Sequence, residues 1–243
     1  MTMELQIAAI LALSALIFSL AGFGFGLISV PLLALAMPIQ EAVALQFPVS
    51  MLLVVYNTWR YRHDFNWRSI VPLMFGALVA MPLGMLSLQH FSASFMKTAL
   101  AVFIVAAVIN GRLEIGRRWA SRWAATPAMG VVMGVVSGWF GGAYTTGGPP
   151  AVIYAMAATK DPQETKGVLA AYFALTDVVV MAMYFWSGLM TWPVLGRSLA
   201  FSPAVVLGMV VGFALARRIG AGVYRLAADA LLMVSAALLW RSA

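Results

Sequence analysis

The chain has 243 residues, 63% of them apolar and only 9% charged, with 15 basic residues against 8 acidic. Soluble domains carry about 25% charged residues, so a water-soluble fold is excluded; at about 20 apolar residues per crossing, the length holds about eight to ten membrane segments and no separate soluble domain. The net charge of +7 reads as loop charge beside anionic lipid rather than a nucleic-acid surface, and with no cysteine and two histidines neither a metal centre nor another cofactor is expected.

Apolar runs lie near residues 5–37, 42–59, 69–88, 94–109, 124–158, 167–188, 194–216 and 222–240. They predict an all-α polytopic membrane protein. The start runs straight into apolar sequence with no basic region and does not read as a cleaved signal peptide. The first and fifth runs are too long for one crossing. Each is interrupted by glycine and proline: Gly22, Gly24, Gly26 and Pro31 in the first, and Gly138, Gly141, Gly142, Gly147, Gly148, Pro149 and Pro150 in the fifth. Both are expected to break into two shorter helices.

Loop charge decides how the breaks are counted. If each broken run crosses once, nine basic residues face six; if each returns as a hairpin, twelve share one face and only Lys97, Arg197 and Arg241 lie opposite. The second count follows the positive-inside rule, so both termini are expected in the periplasm and the basic linker 110–123 in the cytoplasm of a bacterial inner-membrane protein. A hairpin plus three transmembrane helices is an odd-parity unit, so segments 1–109 and 124–243 become inverted repeats. Ala21-Gly22 and Ser137-Gly138 open the two breaks, and a proline with a nearby acid follows each run, Pro38 with Glu41 and Pro162 with Glu164. Inverted repeats with discontinuous helices are an architecture of secondary transporters.

Irregular backbone at membrane depth must be buried in protein or line a watery cavity. A half-helix starting there offers unpaired N–H groups and a positive dipole end, which bind anions. The candidate substrate-binding residues are Gly24, Gly26 and Ser29 at the first break, and Thr145, Thr146, Gly147 and Gly148 at the second. Gln46, Tyr172 and Thr176 are polar groups at matching depth in the two halves, with Ser50 beside them. Asp177 sits mid-span, where a charge costs about 2.5–3.5 kcal/mol on insertion scales. It reads as a proton-coupling or gating carboxylate, the alternative being an acid that holds helices together. Arg197 and Lys97 read as snorkelling cations or as attractants for an anion, Arg225 and Asp229 as an ion pair on one helical face, and the tryptophans at span ends as an aromatic belt.

The stretch Gly22-Phe23-Gly24-Phe25-Gly26 with Pro31, and Gly138-Trp139-Phe140-Gly141-Gly142 with Gly147-Gly148-Pro149-Pro150, resembles the duplicated motif of the TauE/SafE family, also called the sulfonate uptake permease family. Phe25 departs from the family pattern, in which another glycine is common there. The resemblance runs over the whole chain in size and repeat organisation. It implies a membrane transporter, not an enzyme, for a small sulfur-containing anion such as sulfite or a C2 sulfonate, with export the expected direction and the anion held between broken-helix N-termini at the repeat interface. The expected partners are that anion, membrane lipid and a proton; a homodimer is not legible in the sequence. A passive anion channel or a uniporter for small organic anions remains the alternative. An intramembrane protease is excluded by the missing serine motif and the lack of two intramembrane aspartates.

Overall fold

The structure, a computed structural model, describes residues 3–21, 24–113, 126–216 and 221–243, without the side chains of 20, 21, 216 and 221–225. Most of the linker, Gly22, Phe23, Trp119, Trp123, Arg217, Arg218 and the side chain of Arg225, with its expected pairing to Asp229, therefore lie outside the described residues. Those residues form eleven α-helices: α1 (Met3–Ala21), α2 (Phe25–Leu33), α3 (Ile39–Arg60), α4 (Trp67–His90), α5 (Ala93–Leu113), α6 (Pro127–Tyr144), α7 (Gly148–Ala158), α8 (Pro162–Trp186), α9 (Trp192–Ala200), α10 (Ser202–Ala216) and α11 (Ala221–Arg241). Four of them, α3, α4, α5 and α8, are long and apolar enough to cross a membrane, and α9 with α10, bent by 41°, makes a fifth candidate. The chain is an all-helical, multi-pass membrane protein.

Both long runs are broken, the first between the end of α1 at Ala21 and the start of α2 at Phe25, the second between Tyr144 and Gly148. Ser137-Gly138, expected to open the second break, lies with Gly141 and Gly142 inside an unbroken α6, where small residues serve close packing instead. At a rise of 1.5 Å per residue, α2 and α7 reach only about 13 and 16 Å, half of a hydrocarbon core of about 30 Å. Each doubles back along the helix before it. The Tyr154 ring of α7 reaches Gly130 near the start of α6, and an apolar groove is lined jointly by Met3, Gln6 and Ile7 of α1 and by Leu33 and Ala36 at the end of α2. Both broken runs are helical hairpins.

The polarity of α4 is that of a helix dissolved in lipid. Its large side chains Val71, Phe75, Val79 and Leu83 are exposed, while Gly76, Ala77, Ala80 and Gly84 are buried. Lipid tails are as apolar as leucine, so association rests on close backbone approach. The glycines at 130, 134, 138 and 142 recur every fourth residue along α6 and meet α4: a Cβ on Gly134 would run into the Leu73 carbonyl, on Gly142 into that of Met81, and on Gly84 into that of Trp139. Gly208 and Gly212 of α10 meet Ala12 and Leu16 of α1 in the same way.

The chain divides into two compact units, residues 1–50, 91–108 and 189–243 in one and residues 51–90 and 109–188 in the other. Neither unit is a sequence half. In the first, the hairpin α1–α2 packs on α10, which comes from the second half; in the second, the hairpin α6–α7 packs on α4, which comes from the first. The third element of each half has gone to the hairpin of the other.

Candidate functional site

The second break is the better furnished. Thr145 closes α6 in the left-handed region at φ 55°, rare for a residue with a Cβ, with its N–H on the Gly141 carbonyl at 2.9 Å and that of Thr146 on Phe140 at 3.3 Å. Two hydroxyls hold the carbonyls around the break. Tyr184 donates to the Gly142 carbonyl at 2.8 Å, and Ser137 to that of Gly147 at 2.5 Å. Ser137 has then spent its only proton, so Tyr172, 2.8 Å away, must donate to Ser137. Gly147 is fixed by this approach: at φ −66° its backbone is ordinary, but a Cβ would meet Ser137.

The N–H groups between these struts are unspent. The first turn of a helix leaves donors without an intrahelical partner, and Pro149 and Pro150 have no N–H to offer. Gly147 and Gly148 remain, and neither N–H donates to a described residue. The Thr146 hydroxyl is 3% exposed and also has no partner among the described residues. Three donors thus converge in sequence at the positive end of α7. A buried donor left unpaired costs about 1–3 kcal/mol, so the cluster is expensive unless a ligand or water takes it.

The first break is built differently. Gly24 carries φ 90° and a Cβ there would meet only Leu27 Cβ at 4.0 Å, so there glycine serves conformation, whereas at Gly147 it serves space. Gly26 lies in the first turn of α2, buried. Ser29 donates to the Phe25 carbonyl at 2.9 Å and lies 3.3 Å from Gln46 Oε1 of α3. The Thr176 hydroxyl likewise turns back onto the Tyr172 carbonyl at 3.0 Å, and that of Thr145 onto Tyr144 at 2.6 Å. Ser50 bonds the Phe47 carbonyl at 2.7 Å, within a helix that continues through Pro48. Of the hydroxyls read from the sequence as candidate donors, only that of Thr146 is unspent.

Asp177 is partly buried, makes no hydrogen bond or ion pair among the described residues, and lies within Coulombic reach of the Tyr172 and Tyr184 hydroxyls. The carboxyl is thus close enough to act electrostatically on the two tyrosines that steady the break, and no described residue pins it. The sequence marks Ser137 only as opening the break, not as a bonding residue, and does not single out Tyr184. Tyr184 had a signal in its spacing, seven residues beyond Asp177 and so on the same helical face. Arg197 is no free cation: it pairs with Glu4 at 2.9 Å and Glu41 at 3.0 Å.

Lipid-adapted helices, two short-armed hairpins and a polar break within one of them are features of a multi-pass membrane protein. The family model described as "Sulfite exporter TauE/SafE" matches residues 7–239, nearly the whole chain. The chain belongs to that family, which makes it a transporter rather than an enzyme. No curated protein and no solved structure matches it.

Proposed function

We propose that the chain is a secondary transporter that exports a small sulfur-containing anion, sulfite or a C2 sulfonate, across a bacterial inner membrane, with both termini periplasmic. The observation that carries this reading is the trio of unspent donors, Thr146 Oγ1 and the N–H groups of Gly147 and Gly148, at the start of α7. A sulfite or sulfonate head has three oxygens, and three donors at a positive helix end suit it without a cationic side chain that would hold it too tightly to release. Gly24 and Gly26 stand at the corresponding helix start in the first half.

The halves act as inverted repeats, each a hairpin plus three transmembrane helices, joined by the linker 110–123. The exchange of α4 and α10 between hairpins supports this, because the same pairing is made in both directions. Asp177 carries the coupling proton. An unpinned carboxyl beside the struts Tyr172 and Tyr184 can pass its charge state to the break they hold, and intramembrane acids are functional candidates by default.

The test is uptake by proteoliposomes of sulfite, sulfonates and carboxylates, with and without an imposed proton gradient. Saturable uptake, counterflow and acceleration by the gradient are expected for a sulfur oxyanion. Unitary currents without saturation would make the protein a channel, and uptake indifferent to the gradient a uniporter.

A further inference from the structure

Ser137 departs from the habit of hydroxyls within helices. Ser14, Ser19, Ser29, Ser87 and Thr176 each turn back onto the carbonyl four residues earlier, as helical serines and threonines commonly do. Ser137, buried in α6, donates instead across the break to the Gly147 carbonyl at 2.5 Å. Gly147 is the cap of α7, so its carbonyl also takes the first bond of that helix, and Ser137 occupies the second lone pair. The Ser137 oxygen in turn accepts from the buried Tyr172 of α8 at 2.8 Å. Tyr172, Ser137 and Gly147 thus form a one-way chain of donors through α8, α6 and α7, all within the same compact unit.

The far end of that chain is a donor of the break. The Gly147 carbonyl and the Gly148 N–H belong to one planar trans peptide and point in opposite directions. The bond that draws the carbonyl towards Ser137 therefore turns the Gly148 N–H away from it, at the end of α7 where the Gly147 N–H and the buried Thr146 hydroxyl are also unspent among the described residues. Aligned hydrogen bonds polarise one another, so two hydroxyls whose own protons are spent on the protein strengthen this donor as well as aim it. Gly147 completes the fit: a Cβ there would meet the Ser137 carbonyl and hydroxyl. The close approach needs glycine on one side and a short hydroxyl side chain on the other.

We propose that Ser137 and Tyr172 are positioning residues that set the third donor, the Gly148 N–H, and thereby select an anion head with three oxygens over one with two. This rests on the reading of the break as the anion site. A sulfonate or sulfite head offers one oxygen to each of the three donors, whereas a sulfinate or carboxylate head fills two and leaves the third unmet. Loss of aim at Gly148 is then felt by the three-oxygen head and not by the two-oxygen head. Tyr172 works only through Ser137, at one remove from the anion. Tyr184 holds the Gly142 carbonyl, whose peptide ends on the Ala143 N–H within α6 rather than on a donor of the break, and so has no part in the selection.

Methanesulfonate and methanesulfinate share their charge and methyl group and differ by one oxygen, and calorimetric titration of the purified full chain in detergent gives their dissociation constants. The parent binds the sulfonate about tenfold more tightly, the worth of one hydrogen bond. Ser137→Ala and Tyr172→Phe each weaken the sulfonate by about five- to tenfold, part of the loss of a hydrogen bond to a charged group, and leave the sulfinate within about twofold. The double variant loses no more than Ser137→Ala, because Tyr172 acts through Ser137, and Tyr184→Phe keeps the parent ratio. Tyr172→Phe leaves the Ser137 bond to Gly147 in place, so it decides the matter if Ser137→Ala does not elute as a monodisperse species. A parent that does not discriminate, equal weakening of both anions, or an unchanged ratio in folded variants overturns the selecting role of Ser137 and Tyr172. If Thr146→Val then still weakens the sulfonate, the break remains the anion site; if it does not, that reading falls as well.

Discussion

Thr146 and Asp177 are the residues at which the proposed chemistry is most exposed to test. The Thr146 hydroxyl has no protein partner to lose among the described residues, so Thr146→Val should leave thermal stability unchanged or slightly raised. A hydrogen bond to a charged group contributes about 1.5–3 kcal/mol, and anion affinity should accordingly fall by about ten- to a hundredfold, read as the half-saturation of exchange. Unchanged affinity would move the site away from the second break. Asp177→Asn mimics the protonated acid and should keep counterflow while losing gradient-driven accumulation in the same reconstituted sample. Surviving accumulation at the parent rate would clear Asp177 of coupling; loss of folded protein would make it structural. The positions of these groups were legible, because a glycine and proline break at depth points to its own backbone donors. The bonding of the neighbouring hydroxyls was not. Serine and threonine inside helices commonly turn back onto a carbonyl three or four residues earlier, and Ser29 and Thr176 do so, a rotamer choice that composition and spacing do not reveal.

At the scale of helices, the glycines of the fifth run do two jobs that look alike in sequence. Read together they mark a break, and a break is there, but at residues 145–147. Gly138 and Gly142 belong to an unbroken α6 and serve its approach to α4. The four-residue spacing carried that distinction; the identity of the partner helix did not, since it depends on contacts between distant parts of the chain. Gly84→Ala should push the Trp139 backbone aside and cost about 1–3 kcal/mol, as overpacking does, seen as a lowered thermal midpoint in detergent. A Cβ added at Gly196, in α9, would meet nothing within 4 Å. Gly196→Ala should therefore stabilise by about 0.5–1 kcal/mol through helix propensity alone. Equal effects of the two substitutions would deny that backbone approach is what fastens α4 to α6.

For the molecule as a whole, the sidedness argument predicts that cysteines introduced at Arg118 and Ser242 label from opposite faces. Labelling of both from one face would end the inverted-repeat reading. Trp59, Trp67, Trp192 and Trp240 stand exposed at helix ends, where interfacial tryptophans belong. The exchanged helices have a further consequence, for biogenesis. The ribosome completes α4 about fifty residues before the end of α6, and α1 about 180 residues before α10 begins. At about 5–20 residues per second, the packing face of each waits seconds in the bilayer without the surface it fits. Neither half can then mature alone: each, expressed separately, would present an unmatched face to lipid and to quality-control proteases, whereas two fragments divided within the linker and made in the same cell would rescue one another by trading helices.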